Sequence, residues 1–217
     1  MTRYRTIVAD PPWPVKGDAC LRPWVMGAGG RRKRGTVMPY SLMTLDQIYA
    51  LPVASLADDD AHLYLWTTAK LNARGIGLAT VKAWGFDWVG EIVWKKNNYG
   101  LGRFPRPQHE ILVVARRGRL PFRRRDVGSV QAWRQDYSAN GGKRHSVKPE
   151  HAIDLIETNS PGPYLELFAR RQRLGWDSWG HEALNHVTLT TGAATPAPGG
   201  GGGNSSPPPA ASPGATP

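Results

Sequence analysis

A chain of 217 residues is long enough for one domain with its own core and short for two. Its 28 Lys and Arg against 17 Asp and Glu leave a net charge of +11, which favours a polyanionic partner, with nucleic acid first. A single cysteine excludes an intrachain disulfide and points to a reducing compartment, and no run approaches the ~18–20 apolar residues that span a bilayer, so a cytoplasmic protein without membrane contact is expected.

The first predicted element is a strand, RTIVA (5–9), which breaks off into Asp10-Pro11-Pro12-Trp13. Neither proline donates to a ladder and both fix φ, so the strand cannot continue through them. TLDQIYAL (44–51) reads as a short helix capped by Thr44. HLYLWTT (62–68) reads as a strand. KLNARGIGLATVKAWG (70–85) has apolar residues at helical spacing and predicts one helix stopping at Gly85. VGEIVWKK (89–96) and HEILVVARRG (109–118) predict strands, KPEHAIDLIETNS (148–160) a helix with Pro149 near its start, and GPYLELFAR (162–170) a further strand. Such alternation predicts an α/β sheet with helices on both faces, in a domain over 1–189. The tail from 190 to 217 is rich in Pro, Gly, Ser and Ala, carries no charge and is expected to be disordered. Trp66, Trp84 and Trp94 follow strand and helix spacing and are expected in the core.

Two stretches have no element assigned: 14–38, with GAGGRRKRG, and 117–144, with Arg123-Arg124-Arg125. Both are rich in glycine and arginine and long enough to suggest use, with phosphate contact as the reading. HEALNH (181–186) resembles a zinc-protease motif, but its two histidines stand five apart and do not share a helix face. No metal is expected.

Ligands of α/β sheets sit beyond the carboxyl ends of strands, where Asp10 to Trp13 fall. An exocyclic amine such as adenine N6 is a poor nucleophile because its lone pair is delocalised into the ring. The Asp10 carboxylate and the Pro11 carbonyl, held by the Pro11-Pro12 unit, would accept its two N–H groups and free that pair. Trp13 would offer a face for stacking the base. From these four residues alone, an amine clamp and a capped turn packed by Trp13 are both open.

The D-P-P-W tetrapeptide resembles the catalytic signature of amino methyltransferases that use S-adenosylmethionine, in the form found in the MT-A70 family. PYSLMTLDQI (39–48), AHLYLWTT (61–68), WGFDWVGEIVWKK (84–96), RPQHEILVVARRG (106–118), HSVKPEHAIDLIE (145–157) and GPYLELFARRQRLGWDSWGHE (162–182) follow in that family's order. The resemblance implies a Rossmann-like class I methyltransferase fold with a mostly parallel, twisted sheet. It implies methyl transfer from S-adenosylmethionine to the N6 amine of adenine in nucleic acid, leaving S-adenosylhomocysteine. Asp10, Pro11, Pro12 and Trp13 would be catalytic. Asp10, Lys148, Glu166, Phe168, Arg170, His181 and Glu182 would hold the cofactor. Trp13, Tyr40, Lys95, Arg103, Arg106, His109 and Ser146 would meet the substrate. The loops at 14–38 and 117–144 would frame the incoming base.

The sequence departs from the family where Trp179-Gly180 is followed by His181 instead of the usual Asn, and where GLGRFPRPQHE (100–110) replaces an aromatic-rich segment. DNA from a bacterial or phage setting is the expected substrate, on compact length, with RNA as the alternative. A catalytically silent nucleic-acid-binding partner is the reading from another class. A homodimer or a second subunit is compatible with the sequence.

Overall fold

The computed structural model describes residues 2–14, 42–100, 104–134, 147–180 and 183–189. The tail from 190 lies outside them. Seven strands form one sheet in the order β5-β3-β4-β2-β1-β6-β7: β1 (Tyr4–Ala9), β2 (Ala57–Thr68), β3 (Asp87–Lys95), β4 (His109–Arg117), β5 (Val130–Gln131), β6 (Tyr164–Leu167) and β7 (Trp176–Trp179). β1 pairs in parallel with β2 and β6, β6 with β7, and β3 with β5. β4 alone among the described strands runs against its neighbours, β2 and β3. The expected mostly parallel α/β sheet is therefore observed.

Both faces are covered, so the central strands are apolar on alternate residues in both directions. Ile7, Ala9, Leu63, Leu65, Val113, Leu165 and Leu167 face one core. That core is closed by α1 (Leu45–Tyr49), α2 (Val53–Leu56), α3 (Ala69–Ala73) and α4 (Ile76–Ala83), through residues such as Ile48, Val53, Leu71 and Val81. Val8, Tyr64, Trp66, Leu112 and Trp94 face the other, where α5 (Glu150–Asn159) contributes Ala152, Ile153 and Ile156. Trp66, Trp84 and Trp94 are all fully buried, as their spacing predicts.

The Thr44 cap is a full capping box. Its hydroxyl accepts from the Gln47 N–H at 3.2 Å, and the Gln47 side chain accepts from the Thr44 N–H at 2.8 Å. The single helix expected over 70–85 is two. Gly75 sits at φ 74, a left-handed conformation that ends α3 and starts α4. Gly85 then turns left-handed at φ 77 at the far end of α4, where the sequence predicts a stop. β2 starts five residues before its predicted strand, and β5, β7 and α2 lie outside the predicted elements. Among the described residues no helix is long and apolar enough to cross a membrane.

Candidate active site

Register fixes which side chains can meet. Ala9, the last residue of β1, pairs with Leu65 of β2 and Leu167 of β6, so Asp10 and Phe168 emerge at the same pole of the sheet. Because β4 is reversed, it is its first residues that reach this pole: Glu110 pairs with Thr68 and Trp94. The loop leading into α5 delivers Lys148.

Among the described residues, four charged groups converge there in one chain of ion pairs. Lys148 Nζ donates to Asp10 Oδ2 at 2.8 Å and lies 3.2 Å from Glu110 Oε2, while Lys96 pairs with Glu110 Oε1. The side chains are 18–25% exposed, enough for a ligand to reach and little enough for the charges to matter. Burial would raise the Glu110 carboxyl, but the ammonium groups of Lys148 and Lys96 outweigh it and hold it below the ordinary range. Burial would likewise lower Lys148, and Asp10 and Glu110 together push it above the usual lysine value. Glu166, on β6, is raised, chiefly by burial, with Arg173 opposing and Asp10 adding to the rise.

The D-P-P-W turn is braced from inside. The Trp13 N–H donates to Pro11 O at 2.8 Å, which fixes the direction of that carbonyl and occupies one of its lone pairs. The Met43 N–H donates to Pro12 O at 3.0 Å, tying the turn to the start of α1. Trp13 itself is 6% exposed, and its indole N–H donates to Trp66 O at 3.0 Å. An open face for a base is not what this ring presents. It serves as a strut between the turn and the end of β2.

The remaining expected residues separate. Lys95 and His109 pair with each other across β3 and β4, but both are exposed, whereas their neighbours Lys96 and Glu110 enter the cluster. Arg106 is exposed on the β3–β4 hairpin, with its guanidinium 5.6 Å from the Tyr99 ring centroid. Phe168 takes φ 63, a left-handed conformation rare for a bulky residue, and packs edge-to-face on Trp179 at 5.3 Å. Arg170 is half-buried just beyond it. Gly180 passes so close to Ala169 that a Cβ would lie 2.1 Å from the Ala169 carbonyl oxygen. Tyr40, Arg103, Ser146, His181 and Glu182 lie outside the described residues, as do 15–38 and 135–144 of the two arginine-rich stretches.

Arg123 to Arg125 do not frame this mouth. The Arg123 N–H donates to Asn159 O at 3.0 Å, at the carboxyl end of α5, beside the residues that lead into β6. That is the opposite pole of the sheet, about 20 Å from Asp10 at the rise of a six-residue strand.

The donor set suits a zwitterionic cofactor with a ribose and a flat base. It offers an acid for an ammonium, a lysine for a carboxylate, a second acid at the end of β6 for hydroxyls, and the Phe168–Trp179 pair for an apolar ring. Among the described residues no His, Cys, Asp and Glu group could hold a metal.

Comparison with known proteins gives a family match over residues 4–182, to the family described as MT-A70. The type II methyltransferase M.MunI of Mycoplasma sp is 32% identical over 188 residues, which cover 83% of this chain and 78% of that protein. The N(6)-adenine-specific methyltransferase METTL4 of Homo sapiens is 31% identical over 193 residues, covering 83% of this chain and 38% of its own. The N(6)-adenosine-methyltransferase catalytic subunit METTL3 of Homo sapiens is 25% identical over 185 residues, covering 83% and 28%. The chain thus spans most of the Mycoplasma relative and well under half of the two human ones.

Proposed function

Because the chain belongs to the MT-A70 family of S-adenosylmethionine-dependent N6-adenine methyltransferases, we propose that the pole around Asp10 methylates adenine in DNA, with Asp10 accepting from the target amine. The observation that carries the site reading is the Asp10 carboxylate, placed at the end of β1 and held there by Lys148 at 2.8 Å. DNA is favoured over RNA by the relative matched along most of its length, which is a type II methyltransferase.

Lys148 occupies Oδ2 of Asp10, which leaves Oδ1 for an N–H of the amine. The second lone pair of Pro11 O, aimed by the bond from the Trp13 N–H, takes the other. Two acceptors on one nitrogen favour a pyramidal geometry and a localised lone pair. S-adenosylmethionine supplies an electrophilic methyl group when bound. Lys148 would hold its carboxylate, Asp10 its ammonium end, Glu166 its ribose, and Phe168 its adenine. Asp10 is placed to take the proton that the nitrogen sheds, and positioning accounts for most of the acceleration. In a duplex the adenine has to leave the stack to reach Asp10.

Transfer of labelled methyl groups to matched DNA and RNA oligonucleotides tests this, with wild type and Asp10→Ala side by side. Expected are transfer to DNA above RNA by wild type and background levels for the variant. Equal transfer by both proteins removes Asp10 from the mechanism. Higher transfer to RNA overturns the choice of DNA.

A further inference from the structure

Lys96 immediately follows β3, and its N–H donates to Gln108 O at 2.8 Å, so its backbone is pinned by the β3–β4 hairpin. Its ammonium lies 4.7 Å from the centroid of the Trp94 ring, and that of Lys148 lies 5.6 Å from the Trp66 ring. Trp66 and Trp94 meet edge-to-face at 5.9 Å, and the Trp94 indole donates to Trp133 O at 2.9 Å. Two ammonium groups therefore rest on one rigid aromatic floor. In space the charges run Lys96, Glu110, Lys148, Asp10, alternating in sign and summing to zero.

We infer that Lys96 is a positioning residue for the methyl transfer proposed above, on which this inference rests: by taking one oxygen of Glu110, it keeps Lys148 directed at Asp10. With Lys96 in place Lys148 already touches both carboxylates, Asp10 at 2.8 Å and Glu110 at 3.2 Å; without Lys96 the cluster carries one net negative charge, and Glu110 competes for Lys148 with no other cation on it. A partly desolvated, negatively charged cluster holds protons more tightly, so its carboxylates stay protonated to a higher pH. Glu110 is then protonated at a pH where the wild type keeps it ionised, and Lys148 loses the second carboxylate that fixes its place. Among the described residues, the other charged groups turned towards the cluster are Glu166, from β6, and Arg173, from the β6–β7 connection, which opposes Glu166. Neither supplies the missing positive charge to Glu110. Lys95 and His109 are exposed and do not replace Lys96.

Lys96→Met keeps the aliphatic stem on Trp94 and removes the charge, and Lys96→Arg restores the charge. Two readouts are needed: kcat and KM for methyl transfer against pH, and titration of the Glu110 side-chain carboxyl carbon by NMR, which requires no substrate. Expected for Lys96→Met is an acid limb of kcat moved up by about one pH unit, an unchanged KM for the oligonucleotide and a raised Glu110 midpoint. Lys96→Arg returns the limb and the midpoint towards wild type. A profile that superimposes on wild type after scaling, unchanged midpoints, or equal impairment by Met and Arg overturns the inference. A wild-type chain without transferase activity overturns the functional reading as well. That outcome is told apart because the Glu110 midpoint still moves on Lys96→Met.

Discussion

Lys148 and Asp10 stand 138 positions apart in the chain and 2.8 Å apart in space, and their bond joins the entry of α5 to the exit of β1. Lys148→Met leaves Asp10 and Glu110 facing each other without the cation between them. S-adenosylmethionine is expected to bind at least tenfold more weakly, because a charge-assisted hydrogen bond is lost. Thermal stability should fall by about 1–3 kcal/mol, less than for a fully buried pair because these side chains retain solvent contact. Calorimetric titration of the cofactor and a melting curve read the two effects separately, and an unchanged affinity would remove Lys148 from the cofactor site.

Trp13 is a strut, so its substitution should show first in stability. Trp13→Phe strands the Trp66 carbonyl and opens a cavity at the edge of the core, for about 2–3 kcal/mol of destabilisation. A ring that stacked on the base from an open face would behave differently. There the same variant would keep its melting temperature and raise KM alone.

His62 ties stability to pH from a site remote from the chemistry. It is fully buried, stacked on Phe122 at 3.9 Å, with Nε2 3.0 Å from Leu120 O and Nδ1 2.8 Å from Ser160 Oγ. A carbonyl only accepts, so Nε2 carries the proton and Nδ1 accepts from Ser160. The Tyr64 hydroxyl then donates to Ser160 Oγ at 2.8 Å, and burial pushes that phenol up to about 12. Burial lowers the His62 pKa; Leu120 opposes this, and the charges of Arg116 and Arg5 add to it. The unfolded chain therefore takes up a proton as pH falls through about 6.5, before the folded one does. The stabilisation is complete above that pH and is lost below it. Urea midpoints at pH 8 and pH 5 should differ for wild type, and the difference should shrink in His62→Gln. Equal wild-type midpoints would sink the idea.

Arg124 and Arg125 lie at the pole away from Asp10, and Arg124 is held by both oxygens of Asp126. Replacing both arginines by Gln should leave KM unchanged for a duplex of about one helical turn centred on the target adenine. A several-fold rise in KM, with a flatter salt dependence, would place phosphate contacts at that pole instead.

The end of β1 was legible because Pro11 and Pro12 stop it, and Asp10 and Lys148 were legible through their blocks. Lys96 and Glu110 were not, because strand side chains alternate and a slip of one residue exchanges the buried face for the exposed one. Lys95 and His109 are the products of such a slip. The helix break was hidden because apolar spacing runs on across Arg74 and Gly75. The pole of Arg123 to Arg125 depends on the direction of β4, which local pattern does not encode. β5 is two residues long and leaves too little pattern to read.

At the outer rim of the sheet, the segment after β7 folds back on it. The His186 N–H donates to Ser178 O at 2.8 Å, and His186 Nδ1 accepts from the Ser178 N–H at 3.1 Å. Asn185 Oδ1 accepts from the Gly180 N–H at 2.8 Å. The free margin of β7 is thus sealed by one backbone N–H and two side chains. At these positions the seal denies an incoming strand the ladder it would need for edge-to-edge aggregation.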